Sequence, residues 1–138
     1  MLLPKKVKHR KWQTMRRNMK KDRVETRGTT IAFGSYGIKS LSAMRVRSNQ
    51  LEAARKVMSR LVGKTGKIWI RVFPDMPYTA KAAEVGMGGG KGDPQGYCVQ
   101  VYPGRIIFEI DGVDDATARE ALRKAGTKLP LKTVILKR

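Results

Sequence analysis

The sequence has one cysteine and one histidine, which limits the chemistry available to it. A single cysteine, Cys98, excludes a disulfide within the chain. Together with His9 it provides too few ligands for a zinc site built from Cys and His. A cysteine nucleophile needs a basic partner, and His9 lies in a segment that we interpret as a tail. We therefore expect no metal and no cofactor, and we interpret Cys98 as a small, half-buried strand residue.

Long hydrophobic runs and acidic residues are also scarce. No apolar stretch approaches the roughly 20 residues needed to span a bilayer, and no basic helix has a broad Trp/Leu face to lie on one. The chain has 11 Asp and Glu residues against 30 Lys and Arg, so its formal net charge is +19. Such an excess repels itself, which favours a polyanionic partner. We expect that partner to be nucleic acid and not a membrane.

Nucleotide-binding motifs are absent from the glycine-rich segment GMGGGKG at residues 86–92. A Walker-type loop needs glycine where the chain has Val85, and Ser or Thr where it has Gly92. The dinucleotide spacing fails as well, because its third glycine falls on Lys91 or Asp93. Cap and strand positions explain the clustered carboxylates of Glu109, Asp111, Asp114 and Asp115. We therefore expect no enzyme and no small-molecule substrate.

Two amphipathic patterns predict helices. The first begins with Ser48 as N-cap and ends at Gly63 or Gly66, and its apolar stripe comprises Leu51, Ala54, Met58, Leu61 and Val62. The second is capped by Asp114 and ends at Gly126, with a small-residue stripe of Ala118, Ala121, Leu122 and Ala125.

Alternating or β-branched segments predict the strands. They are residues 28–42 with glycine breaks, 67–73, 97–102, 105–110 and 131–136. Pro103 and Gly104 have the chemistry of a type II turn, which predicts that 97–102 and 105–110 form an antiparallel hairpin. Pro74 and Pro77 should end the strand at 67–73 and open a long loop over residues 74–96. Phe33 and Tyr36 are expected in the core, and the alternative for both is a stacking platform.

The predicted fold class is α+β, with two helices packed on a mixed or antiparallel sheet as a sandwich. At 138 residues the chain predicts a single folded domain over residues 28–138, preceded by a basic tail over residues 1–27. The tail shows no helical or strand period, which is typical of a segment that folds on an anionic partner. A merely solubilising tail is the alternative.

Cations on the tail and on the outer face of the first helix are candidate RNA contacts. Trp12 lies among the tail cations, where an exposed indole suits stacking on a base or sugar. The candidates from composition and pattern are Lys5, Lys6, Lys8, Arg10, Lys11, Trp12, Arg16, Arg17, Arg55, Lys56 and Arg60. A solvated helix face is the alternative for the last three.

Several stretches resemble the bacterial-type ribosomal protein L-sixteen family of the large subunit. They include FGSYGIK at 33–39, QLEAARKVMSR at 50–60, GKIWIRVFPDMP at 66–77, PGRIIFEIDGV at 103–113 and KLPLKT at 128–133. The matches follow one register over nearly the whole chain. The resemblance implies an α+β structural protein that binds large-subunit rRNA beside the A-site tRNA. It also implies a role in subunit assembly and in tRNA accommodation, as in other members of the family.

Partners and site residues follow from the resemblance. It implies neighbouring ribosomal proteins, the A-site tRNA and possibly the P-site tRNA as partners, in a bacterial cytoplasmic or an organellar ribosome. It adds Arg71 to the candidate rRNA contacts. It places the loop containing Met87, Gly88, Gly90, Lys91 and Gly92 next to tRNA.

The chain departs from the family pattern in that loop. The family usually has Arg at the position of Gly86 and Lys at that of Gly89, so this chain keeps only Lys91 of three cations. We expect this loop to bind RNA with weaker electrostatic attraction.

Two other functions remain open for the chain: a free RNA chaperone or nucleic-acid-compacting protein, and an enzyme acting on rRNA.

Overall fold

Residues 1–14 and 23–138 are described by the structure, a computed structural model of the chain. In chain order the elements are β1 (Tyr36–Ser40), β2 (Met44–Arg47), α1 (Ser48–Val62), β3 (Lys67–Ile70), β4 (Met76–Ala80), β5 (Asp93–Val101), β6 (Ile106–Asp111), α2 (Asp115–Gly126) and β7 (Thr133–Lys137).

The strands form two antiparallel sheets. The first has four strands in the order β3-β6-β1-β7, and the second has three in the order β2-β5-β4. One continuous hydrophobic core joins both helices to both sheets, with Ile38 and Phe108 from the first sheet and Val46 and Val101 from the second. The predicted α+β class is confirmed, although the strands divide between two sheets.

Both helices bury the stripes that their sequences predict. On α1 the buried residues include Leu51, Ala54, Met58 and Val62, whereas Leu61 of the predicted stripe is half-buried. On α2 they are Ala118, Ala121, Leu122 and Ala125. The Asp114 carboxylate caps α2 by accepting a hydrogen bond from the Thr117 N–H at 3.1 Å, as predicted.

The start of α1 differs from the prediction by one residue. Ser48 is the first helical residue and not the N-cap. The backbone N–H of Arg47 is satisfied by the Gln50 side-chain oxygen at 2.9 Å. The Ser48 hydroxyl instead donates to the carbonyl of Leu2 at 2.7 Å, and thereby attaches the chain's first residues to the domain. Gly63 ends the helix with a positive φ of 65°.

The turn at Pro103 and Gly104 is predicted correctly, but the hairpin is not. Gly104 has a φ of 100°, and the Arg105 N–H donates to the Tyr102 carbonyl at 3.3 Å. Strand β5 pairs with β2 and β4, however, whereas β6 pairs with β1 and β3. The turn therefore passes the chain from one sheet to the other.

Residues 74–96 contain more strand than expected. Pro77 lies within β4, paired with Tyr97, and β5 already begins at Asp93. Proline is tolerated here because β4 is an edge strand. One side of an edge strand has no neighbouring strand, so proline is commonly accommodated there despite its missing N–H. The connection without strand shortens to residues 81–92, which close a β4–β5 hairpin.

The segment before β1 packs over one face of the first sheet. Its backbone approaches β6 closely, since a Cβ on Gly34 would lie 2.6 Å from the Ile110 carbonyl oxygen. A Cβ on Gly37 would lie 3.1 Å from the Ile31 side chain. Gly34 and Gly37 therefore lie where other segments of the same chain pack closely against them and leave little room for a side chain.

Candidate nucleic-acid interface

The N-terminal tail contacts the glycine-rich loop (residues 86–92), two regions far apart in sequence. The Lys11 ammonium donates to the Lys91 carbonyl at 3.2 Å and lies 3.8 Å from the Asp93 carboxylate. In return the Lys91 ammonium donates to the Trp12 carbonyl. These contacts hold the end of residues 1–14 against the β4–β5 hairpin, and the Leu2–Ser48 hydrogen bond holds the beginning against α1.

Tail cations remain exposed along this docked segment. Lys5, Lys6, Lys8 and Arg10 are all exposed, whereas Lys11 is half-buried by its contacts at the loop. The Trp12 side chain is 40% exposed and lines a surface cleft of about 410 Å³ with Phe73 and Tyr102. The structure therefore brings the two predicted regions, tail and loop, to one side of the molecule.

The glycine-rich loop projects into solvent. Met87 is 98% exposed, and a Cβ placed on Gly86, Gly88, Gly89 or Gly90 would meet no heavy atom within 4 Å. The Lys81 ammonium holds the base of the loop by donating to the carbonyls of Gly86, Met87 and Gly88. Lys91 is committed to the tail, so its charge lies at the junction of tail and loop.

Beside the loop is an open cleft of about 720 Å³. Its walls include Arg47, Tyr78, Lys81 and Lys91, and the Arg47 guanidinium carbon lies 4.9 Å from the Tyr78 ring centroid. Cations and an aromatic face at a backbone-rich cleft can contact phosphates and bases. We therefore treat this cleft as part of the candidate nucleic-acid interface.

A family model described as Ribosomal protein L16p/L10e matches residues 4–136. The chain belongs to this family. It is accordingly a structural protein of the large ribosomal subunit, from a family that is structural and not catalytic, and its place is in a ribosome.

The predicted helix cations of this L16p/L10e-family protein differ in their availability. Lys56 and Arg60 are exposed on α1. Arg55 instead forms an ion pair with Glu52 at 2.6 Å. The hydrogen bond from Arg55 lowers the pKa of Glu52 to about 2. Arg16 and Arg17 lie outside the described residues.

Arg71 has a partner within the protein. Its guanidinium forms an ion pair with Glu109, whose side chain is completely buried. The same carboxylate accepts hydrogen bonds from the backbone N–H groups of Ala32, Phe33 and Gly34 at 3.1, 2.7 and 2.8 Å. An rRNA contact by Arg71 stays a prediction, and the ion pair gives the residue a structural role that the sequence did not reveal.

Other clustered carboxylates also have structural partners. Asp111 accepts a hydrogen bond from the Ser35 hydroxyl at 2.6 Å, and Asp115 pairs with Arg119 at 2.7 Å. In the described part of the chain, no three His, Cys, Asp or Glu residues are grouped to hold a metal ion. The same residues include no helix long and apolar enough to cross a membrane.

Lys67 and Trp69 were not predicted as site residues, and Phe33 was expected in the core with stacking as the alternative. Tyr36 is buried as expected, but Phe33 is 57% exposed and lies beside Trp69. The signal was present in the alternation of KIWIRVF, which places Lys67, Trp69 and Arg71 on the face away from the core. The position of Phe33 depends on how residues 28–35 cross the sheet, and no local pattern predicts that crossing.

Proposed function

We propose that this protein binds large-subunit rRNA through its docked tail and the exposed cations of α1. The observation that supports this most directly is the row of exposed tail cations, Lys5, Lys6, Lys8 and Arg10, fixed against the domain by Leu2 and Lys11. Fixing a cationic segment before binding lowers the entropy lost on contact with RNA. Binding then proceeds by release of counterions and by shape recognition of folded RNA.

The glycine-rich loop is the part that we assign to tRNA. Its projection from the β4–β5 hairpin, with Met87 almost fully exposed, fits a segment that reaches into a crowded polyanionic space. In the ribosome, this loop would lie beside the A-site tRNA, possibly reaching the P-site tRNA, and would support tRNA accommodation. The tail and α1 would support assembly of the subunit through rRNA and neighbouring ribosomal proteins.

The salt dependence of rRNA binding tests the first part. Neutralising about ten phosphates should give a slope of log affinity against log salt on the order of −7 to −9. The measurement is filter binding of the full chain to a large-subunit rRNA transcript over a range of monovalent salt. A slope near −2 would contradict the proposed interface.

A matched pair of variants locates the contact. Lys5→Gln with Lys6→Gln should reduce the steepness of the slope by about 1.4 to 1.8. Arg119→Gln with Arg123→Gln removes the same formal charge from α2, where both residues already pair with acidic partners. We expect this control to change the slope much less. Equal changes would show that only net charge matters and not the tail.

A crosslink tests the second part. A photoreactive residue at Met87 should link to tRNA in ribosomes with an occupied A site. The same residue at Leu41, which is also exposed but lies at the end of β1, is the control. Crosslinking of Met87 to rRNA alone, unchanged by A-site tRNA, would reject the assignment of this loop.

A further inference from the structure

Phe33 and Trp69 form an aromatic pair that the proposed contacts do not use, with Phe33 exposed and Trp69 half-buried. Their ring centroids are 6.1 Å apart and their planes differ by 19°. Phe33 is 57% exposed, although phenylalanine side chains are usually buried. An aromatic surface left open on a highly charged protein suggests a ligand with a flat apolar face.

Each ring of this pair has a cation beside it. The Arg71 guanidinium carbon lies 5.0 Å from the Phe33 centroid, and the Lys67 ammonium lies 5.2 Å from the Trp69 ring centroid. Both distances are within the range of cation–π contact. We call these four residues, Phe33, Lys67, Trp69 and Arg71, the aromatic–cation patch.

The patch rests on a fixed frame. Glu109 holds Phe33 and its two chain neighbours by their backbone N–H groups, and it also pairs with Arg71. Glu109 lies opposite Trp69 in the β3–β6 register. One buried carboxylate therefore positions Phe33 and Arg71 beside Trp69, so a ligand would find the rings already ordered.

We propose that the aromatic–cation patch binds an unpaired RNA base, which stacks on the rings of Phe33 and Trp69. Lys67 contacts the adjoining phosphate, because the charge of Arg71 is already offset by Glu109. This proposal rests on rRNA binding and names a site for it. Charge favours RNA over an apolar protein surface, since Lys67 is exposed and the chain as a whole carries a net charge of +19.

Tryptophan fluorescence gives a direct test. The chain has two tryptophans, so the full chain with Trp12→Phe reports on Trp69 alone. The probe is single-stranded oligoadenylate of about ten nucleotides, and the comparison ligand is inorganic polyphosphate of matched charge. We expect oligoadenylate to quench Trp69 on binding and polyphosphate to bind without this quenching. Equal quenching by both ligands would overturn the proposal.

Substitutions at Phe33 separate stacking from charge, all in the same Trp12→Phe background. Phe33→Leu should weaken oligoadenylate binding by roughly 5- to 150-fold, the usual contribution of one stacked base. Phe33→Tyr should retain affinity because the ring is kept. Leu41→Ala is the control, since Leu41 has the same 57% exposure at the other end of β1. Circular dichroism and thermal unfolding would confirm that each variant is folded.

Two outcomes at position 33 would also overturn the patch. One is equal oligoadenylate affinity of the Phe33→Leu and Leu41→Ala proteins. The other is a photoreactive residue at Phe33 that links to protein, and not to RNA, in native large subunits. Binding of an rRNA transcript without Trp69 quenching by oligoadenylate would reject the patch alone. Quenching by oligoadenylate without transcript binding would instead reject the proposed function.

Discussion

The guanidinium of Arg71 and the carboxylate of Glu109 form an ion pair beneath the segment that precedes β1. Glu109 lies on β6, on the opposite face from the core residues Phe108 and Ile110. The Glu109 carboxylate also accepts hydrogen bonds from the backbone N–H groups of residues 32–34. This buried charge is therefore paired and hydrogen-bonded, as a charge at such a site must be.

Removing the carboxylate should destabilise the domain. Glu109→Ala leaves Arg71 and three backbone donors without their acceptor, so we expect a loss of about 3–5 kcal/mol in the free energy of unfolding. Urea denaturation would measure it. Glu120→Ala is the control, because Glu120 forms exposed pairs with Arg123 and Lys124, and losing exposed pairs should destabilise the fold far less. Similar losses in the two variants would contradict the role of Glu109.

The same carboxylate predicts a dependence of stability on pH. Burial acts to raise the pKa of Glu109, but hydrogen bonds from the backbone of Gly34, Ala32 and Phe33 and from Arg71 together lower it below its ordinary value. A depressed pKa in the folded state stabilises the fold above the ordinary value of 4.5. This stabilisation is lost as pH falls through the folded pKa.

The pH prediction is tested with the isosteric variant Glu109→Gln. The difference in unfolding free energy between wild type and variant should be greatest near neutral pH and should shrink below pH 4.5, the ordinary value for glutamate. Other carboxylates whose pKa is lowered, including Asp111 and Asp114, affect the stability of both proteins equally and cancel in this difference. A difference that does not change with pH would contradict the assignment.

Gly34 should tolerate no side chain, whereas Gly86 should. A Cβ at Gly34 would lie 2.6 Å from the Ile110 carbonyl oxygen, while Gly86 has no heavy atom within 4 Å of that position. We expect Gly34→Ala to cost about 1–3 kcal/mol by overpacking. Gly86→Ala should change stability by less than about 0.5 kcal/mol. Thermal or urea unfolding of both variants checks the contrast, which fails if the two behave alike.

Restoring a cation to the glycine-rich loop should strengthen its grip on RNA. Gly86→Arg suits this test because Gly86 has open space and is not among the positive-φ glycines. We expect slower dissociation of A-site tRNA from ribosomes carrying the variant, with a salt slope steeper by about 0.7–0.9.

The neutral variant Gly86→Gln is the control for side-chain length. It should leave the tRNA dissociation rate and its salt slope near wild type. Gly89→Lys is a poorer choice, since Gly89 has a φ of 78° and a side chain there is strained. No difference between the Arg and Gln variants would remove the electrostatic argument for this loop.

Local signals predicted the helices well but predicted strand pairing poorly. Asp114 and the alanine stripe fix α2 through chemistry within a few residues. Pro103 and Gly104 fix a turn, yet no turn residue determines whether the next strand pairs back or enters another sheet. Pro77 suggested the end of a strand, but it lies within edge strand β4. The local sequence does not show which strands lie at a sheet edge, because that depends on the tertiary fold.

Prediction of the candidate site shows the same division. Charge and spacing identified the tail cations and the glycine-rich loop as separate regions. Their contact through Lys11, Trp12 and Lys91 depends on residues about 80 positions apart in the chain. Likewise, the exposure of Phe33 follows from its hydrogen bond to Glu109, 76 positions away.

Sedimentation of a native extract tests the central claim most directly. The protein is followed through a gradient with and without ribonuclease. Our account predicts one copy per large subunit, and loss of this co-migration after ribonuclease treatment. A slowly sedimenting pool that ribonuclease leaves unchanged would contradict it, and would favour a free RNA chaperone or an enzyme acting on rRNA.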